Sequence, residues 1–141
     1  MKKNYDVVIL AGGLGRRLKK ILQGIPKPLV RLNKNILFLD LILSQLSNLD
    51  VNNIFISISK SKEEIFKEYL KLRNYKNISL VVEKKKLDTG GAIKNVIIKK
   101  KIRQNFICVN GDTNQNLKII LKKLRKLKKN NFDYIFLTKS A

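Results

Sequence analysis

Short apolar runs alternate with segments of helical period along almost the whole chain, and no other feature of its 141 residues constrains the fold as strongly. Residues 5–10 form an apolar run that ends at Gly12-Gly13, as a buried strand entering a tight loop would. Residues 36–49 place Leu37, Leu41, Ile42, Gln45, Leu46 and Leu49 at helical spacing, and residues 54–59 then read as a strand with a polar end. Ser61 with Glu64 three positions on predicts a capping box, opening a helix whose apolar face is Ile65, Phe66, Tyr69 and Leu70. Residues 78–82 predict a third strand and residues 106–109 a fourth. Between them, Thr89 or a neighbour caps a helix through Ile93, Val96 and Ile97. Asn116 can cap a last helix that turns Leu117, Ile120, Leu121, Leu124 and Leu127 inward, and residues 133–138 supply a fifth strand.

Strands separated by helices of about ten residues imply right-handed βαβ units, hence an α/β fold with a mainly parallel sheet covered on both faces. At 44% hydrophobic residues the chain can bury one core, so residues 1–141 are read as a single domain. No apolar stretch approaches the roughly 20 residues that span a bilayer, and Gly12, Gly13, Arg16 and Arg17 interrupt the first run before it could serve as an export signal. The lone cysteine, Cys108, lies between Ile107 and Val109 and has no partner for an internal disulfide, which fits a reducing cytoplasm. The formal net charge of +21 favours polyanionic partners, although Lys, Asn and Ile are abundant throughout, so drift in composition explains the charge more readily. Histidine is absent, which excludes imidazole general-base chemistry and leaves catalysis to Arg, Lys and carboxylates.

In parallel sheets ligands bind outside the carboxyl ends of the strands, and the unusual residues of this sequence fall in those loops. Leu10, Ala11, Gly12, Gly13 and Gly15 follow the first strand, where glycines allow backbone N–H groups to surround an anion, and Arg17 adds fixed charge. The spacing matches neither the P-loop nor the dinucleotide fingerprint, and a simple Gly-rich turn is the alternative. Pro26 and Pro28 flank Lys27 and reduce the entropy lost when its ammonium is positioned. Asp112, after Asn110-Gly111, offers a carboxylate suited to Mg²⁺, against the alternative of an ordinary Asn-Gly turn. Glu83 and then Asp88, Thr89, Gly90 and Gly91 lead into a helix whose N-terminus could admit a nucleoside or phosphate, or could simply be capped by Asp88 or Thr89.

Taken in order, LAGGLGRRL, PKPLVRLN, LDTGGAI and NGDT resemble the sugar-phosphate nucleotidyltransferase family, and the last two most resemble its D-glycero-D-manno-heptose 1-phosphate guanylyltransferase branch. The resemblance implies a Rossmann-like, three-layer α/β/α nucleotidyltransferase fold of the GT-A-like kind, here C-terminally truncated because the family continues beyond the position of Ala141. It implies that residues 10–15 wrap an NTP, that Arg17 steadies the phosphates, and that Lys27 neutralises charge at the reacting phosphates. Asp112 would hold Mg²⁺, and residues 83–91 would line base and sugar. Two departures stand out: Arg16 where the family has Ser or Thr, and Asp88 where the branch has glycine. The implied reaction is attack of a sugar 1-phosphate on the α-phosphorus of an NTP with loss of pyrophosphate, which needs no general base because the nucleophile is already ionised. Glu83 or Asp88 could accept from the N1–H and N2–H₂ edge of guanine, favouring GTP. The other readings are a non-catalytic nucleotide-binding fragment, a transferase with a different phosphorylated acceptor, and a basic nucleic-acid-binding module. Against the last, Phe55, Phe106, Tyr134 and Phe136 fall in strands expected to be buried, leaving little to stack on bases.

Overall fold

The computed structural model describes residues 5–13, 15, 19–120 and 122. Four strands, β1 (Tyr5–Leu10), β2 (Val51–Ser59), β3 (Ile78–Glu83) and β4 (Phe106–Asn110), form one sheet in the order β3-β2-β1-β4, every pair parallel. The helices are α1 (Lys19–Leu22), α2 (Phe38–Ser47), α3 (Glu63–Arg73) and α4 (Thr89–Lys100). Residues 117–120 begin a further helical turn, and Asn116 caps it as expected, its Oδ1 accepting from the Ile119 N–H at 3.2 Å. The fifth strand and the inward positions Leu121, Leu124 and Leu127 lie outside the described residues.

The sheet is buried on both faces, which is why β1 reads as a continuous apolar run instead of alternating. Val7 and Ile9 point into the larger core with Leu39, Ile42, Leu43 and Leu46 of α2 and Phe66 and Tyr69 of α3. Val8, Phe55 and Val81 face the other way and close over Val96 of α4. Because β2 and β3 are laid down successively on one side of β1 and β4 on the other, right-handed crossovers put α2 and α3 on one face and α4 on the opposite face. The order therefore reverses between β1 and β4, and the carboxyl ends of these strands open onto a crevice.

Several elements depart from the sequence reading. Helix α2 is shorter than residues 36–49 because Leu37 is held in an antiparallel bridge with Arg31, and Asp40 accepts from the Leu37 N–H at 2.8 Å. The capping box at Ser61 and Glu64 does not form. A 3₁₀ turn over Lys60–Lys62 comes first and α3 starts at Glu63, whose carboxylate pairs with Lys60 and Lys67 while Glu64 also pairs with Lys67. Ser61 Oγ instead lies 3.3 Å from Ser59 Oγ. Ile65, placed on the inward face by spacing, is 37% exposed. Among the described residues no helix is long and apolar enough to cross a membrane.

Candidate functional site

A cleft of about 500 Å³ opens at the carboxyl ends of the strands. Its floor is the loop after β1, its one wall the turn carrying Lys27 and the segment after β4, and its other wall the end of β3 with the start of α4. Leu10, Ala11, Gly12, Gly13, Gly15, Lys27, Glu83, Asp88, Thr89 and Asp112 all line it. Gly90 and Gly91, within the first turn of α4, do not, and Arg17 lies outside the described residues. Pro28, Lys86, Leu87, Ala92 and Asn110 also line the cleft; Lys86 and Leu87 fall in the segment 83–91 expected to line base and sugar, whereas Pro28, Ala92 and Asn110 had no binding role assigned from sequence. Asn110 could have been reached from the alternation of β4, being the last residue before the turn that carries Asp112.

Lys27 is set by its neighbours. Pro26 is extended (φ −61°, ψ 139°), Lys27–Leu29 form a 3₁₀ turn, and Pro28 and Leu29 are buried. Pro28 packs against Gly111, where an added Cβ would stand 3.1 Å from Pro28 Cγ and 3.0 Å from the Leu10 carbonyl oxygen. Gly111 also donates its N–H to that carbonyl at 2.9 Å. The Asn110-Gly111 pair thus serves close packing between the ends of β1 and β4, and Gly111 does not use a positive φ. This apposition brings Lys27 Nζ to 3.0 Å from Asp112 Oδ2, an ion pair spanning 85 residues of sequence, with both side chains about two-fifths exposed to the cleft.

Across the cleft, Glu83 ends β3 with its side chain buried. Ser57 Oγ donates to its Oε1 at 2.9 Å, and the backbone of Gly12 passes so close that a Cβ there would lie 2.6 Å from the same oxygen. Of the three loop glycines, Gly12 makes room, Gly13 borders open space, and Gly15 alone adopts a positive φ, +58°. Asp88 is the N-cap of α4, but neither it nor Thr89 makes a side-chain capping bond there; the Asp88 carbonyl accepts from the Ala92 N–H at 2.8 Å. Among the described residues there is no cluster of three or more His, Cys, Asp or Glu side chains that could enclose a metal ion, and the carboxylate beside Lys27 is that of Asp112. Gln45, read from spacing as part of the apolar stripe of α2, instead ties down the chain beyond Asp112, its amide donating to Asn114 Oδ1 at 3.2 Å and its Oε1 accepting from the Leu117 N–H at 3.0 Å.

Cys108 stands on β4 opposite Val8, and is exposed as a residue rather than buried as its apolar neighbours suggest. Partial burial of the thiol nonetheless pushes its pKa up to about 11, which leaves it a poor nucleophile at neutral pH.

Known proteins resemble this chain in sequence and in fold. D-glycero-alpha-D-manno-heptose 1-phosphate guanylyltransferase of Campylobacter jejuni is 36% identical over 124 residues, which cover 87% of this chain and 54% of that protein. The Aneurinibacillus thermoaerophilus protein of the same name is 34% identical, over 86% of this chain and 50% of its own. The crystal structure of HddC from Yersinia pseudotuberculosis superposes with a TM-score of 0.69 at 37% identity, covering 84% of this chain and 53% of that one, and the same protein has been solved in complex with GMP-PN. The chain thus spans about half the length of the curated relatives it matches. Residues 6–140 match the nucleotidyl transferase family, and the chain is a member of it.

Proposed function

We propose that the chain binds an NTP, with GTP preferred, and transfers its nucleoside monophosphate to a sugar 1-phosphate, releasing pyrophosphate and an NDP-sugar. The observation that carries this reading is the division of labour across the cleft. Lys27 and Asp112 gather at one end, after β4, and Glu83 stands at the other, at the end of β3 three strand spacings or about 14 Å away, with the glycine loop after β1 running between them. A nucleotide has that length and that polarity, with phosphates at one end and a base edge rich in donors at the other.

At the phosphate end the residues fit Mg²⁺. The ion is commonly bound by one or two carboxylates together with substrate phosphates, and Asp112 presents one carboxylate that already attracts a cation, the Lys27 ammonium. Mg²⁺ when bound supplies neutralisation of phosphate oxygens. Lys27 orients and offsets charge on the phosphoryl group, the loop at residues 10–15 supplies backbone N–H groups, and Arg17 adds a second fixed cation. Phosphoryl-type transfer depends mainly on such positioning and electrostatics, so the absence of histidine is no obstacle. At the base end, Glu83 or Asp88 accepts from N1–H and N2–H₂ of guanine.

The GMP-PN complex of HddC and the names of the two heptose 1-phosphate guanylyltransferases support both the nucleotide and the acceptor class. Pyrophosphate release with GTP, Mg²⁺ and a panel of sugar 1-phosphates tests the reading. Release should require an acceptor and should vanish in Asp112→Ala and Arg17→Ala. Mg²⁺-dependent GTP binding without release would favour nucleotide capture alone. Equal affinity for GTP, CTP, UTP and dTTP would sink the assignment of the base.

A further inference from the structure

We propose that Ser57, which does not line the cleft, is a positioning residue that sets base selectivity by fixing the Glu83 carboxylate; the proposal rests on the reading of the cleft as a guanine-nucleotide site. Ser57 lies near the end of β2 with 0% exposure, aligned with Leu10 on one side and Val81 on the other. Its sequence context reads as the polar end of a strand, yet its hydroxyl is sealed inside the sheet, where an unpaired polar group is costly. It has one use there, the hydrogen bond to Glu83 Oε1.

That bond and the Gly12 backbone hold Oε1 from two sides. The hydroxyl donates at 2.9 Å, while the missing Cβ of Gly12 leaves the gap that the same oxygen fills. Among the described residues the other oxygen, Oε2, has no hydrogen-bond partner, although Glu83 is buried and borders the cleft. A carboxylate so placed has unused acceptor capacity directed at whatever occupies the cleft. Rotation about the Glu83 side chain would lose the Ser57 bond or drive Oε1 against Gly12. Ser57 and Gly12 thereby define the plane of the carboxylate, and the plane decides whether two neighbouring N–H donors of a base edge can be met at once. Guanine presents two such donors; hypoxanthine retains N1–H and lacks the N2 amine.

The experiment is a competition titration of GTP and ITP against a fluorescent guanine nucleotide, in Mg²⁺, on the full 141-residue chain. It compares wild type, Ser57→Ala, Glu83→Gln, the double variant and Gly12→Ala. Wild type should prefer GTP over ITP by about tenfold, the value of one hydrogen bond to a charged group. Ser57→Ala should cut that preference to about threefold or less, and Gly12→Ala should do the same from the other side by displacing Oε1. Because Ser57 acts through Glu83, adding Ser57→Ala to Glu83→Gln should change the ratio no further, whereas a residue that merely stabilises the sheet would weaken both nucleotides alike in either background. Guanine preference unchanged in both Ser57→Ala and Gly12→Ala overturns the proposal and leaves the guanine site standing. Wild type that binds both nucleotides equally, or neither, overturns the guanine reading and the proposal with it.

Discussion

Gly111 shows how much a single residue can decide in this protein. A methyl group there would meet the Leu10 carbonyl oxygen at 3.0 Å, Pro28 Cγ at 3.1 Å and Ile9 Cγ2 at 3.3 Å. None of these is the free end of a flexible side chain: two belong to β1 and the third to a ring that is itself buried. Gly111→Ala must therefore move backbone, and should lower stability by about 1–3 kcal/mol, the usual cost of overpacking. Since the same contact sets the separation of Lys27 and Asp112, nucleotide affinity should fall as well. Urea midpoints and GTP titrations on the purified variant check both, and an unchanged midpoint would mean that the two strand ends can spread apart freely. The glycine was visible in the sequence but its purpose was not, because a turn dipeptide and a packing clearance look identical until the two strand ends are known to be neighbours. Ser57 was missed for a related reason: a serine near a strand end looks solvated until its partner Glu83, 26 residues away, is known to lie beside it.

At the scale of elements, α2 and α3 are locked by a polar node set into their packing. Asp40 accepts from the Leu37 N–H, from Tyr69 Oη at 2.6 Å, and from Arg73 Nε and Nη2 at 3.2 and 2.9 Å, while the Arg73 guanidinium lies 5.3 Å from the centre of the Tyr69 ring. Burial alone would raise the Asp40 pKa, but the bonds from Arg73, Tyr69 and Leu37 together outweigh it and hold the carboxyl below its ordinary value of 3.8. Burial, and then the bond to Asp40, pushes the Tyr69 phenol well above its own ordinary value. In the folded protein Asp40 releases its proton more readily than in the unfolded chain, so its contribution is complete above 3.8 and is lost as the pH falls through the lower folded value. Asp40→Asn should cost about 2 kcal/mol at neutral pH, and the gap to wild type should narrow below about pH 4. Thermal melts across that range test it; a gap that stays constant into acid would show that the charge on Asp40 is not what stabilises the node. Helix existence was readable from the period of apolar residues, but the buried face only in part: Ile42, Leu46, Phe66, Tyr69 and Val96 are buried as the period requires, whereas Leu39, Leu43 and Ala92 are buried outside the expected stripes and Ile65 is exposed. The node was not, because Asp40 and Arg73 stand 33 residues apart and nothing local pairs them.

Over the whole molecule, the parallel order and two-sided burial follow from a sequence of apolar runs and helical segments, and the order reversal beside β1 then locates the cleft without reference to any motif. Ten of the thirteen candidate positions chosen from motifs border that cleft. The exceptions have separate causes: Arg17 is outside the described residues, while Gly90 and Gly91 are carried away from the rim by the turn of α4. What motif and topology leave open is the part played by the net charge of +21, which could attract nucleotides anywhere on the surface. The two possibilities respond differently to salt. A polyanion held by the general field releases counterions with every phosphate contacted, so a single-stranded oligonucleotide of about 20 bases should lose roughly a thousandfold in affinity between 50 and 200 mM salt. GTP with Mg²⁺, held as proposed by Lys27, the glycine loop and Glu83 at fixed positions and with about half its charge neutralised by the metal, should lose about tenfold or less. Parallel titrations at the two salt concentrations separate the cases. If GTP fell as steeply as the oligonucleotide, the surface field and not the cleft would be holding it, and Asp112→Ala would then leave its affinity unchanged.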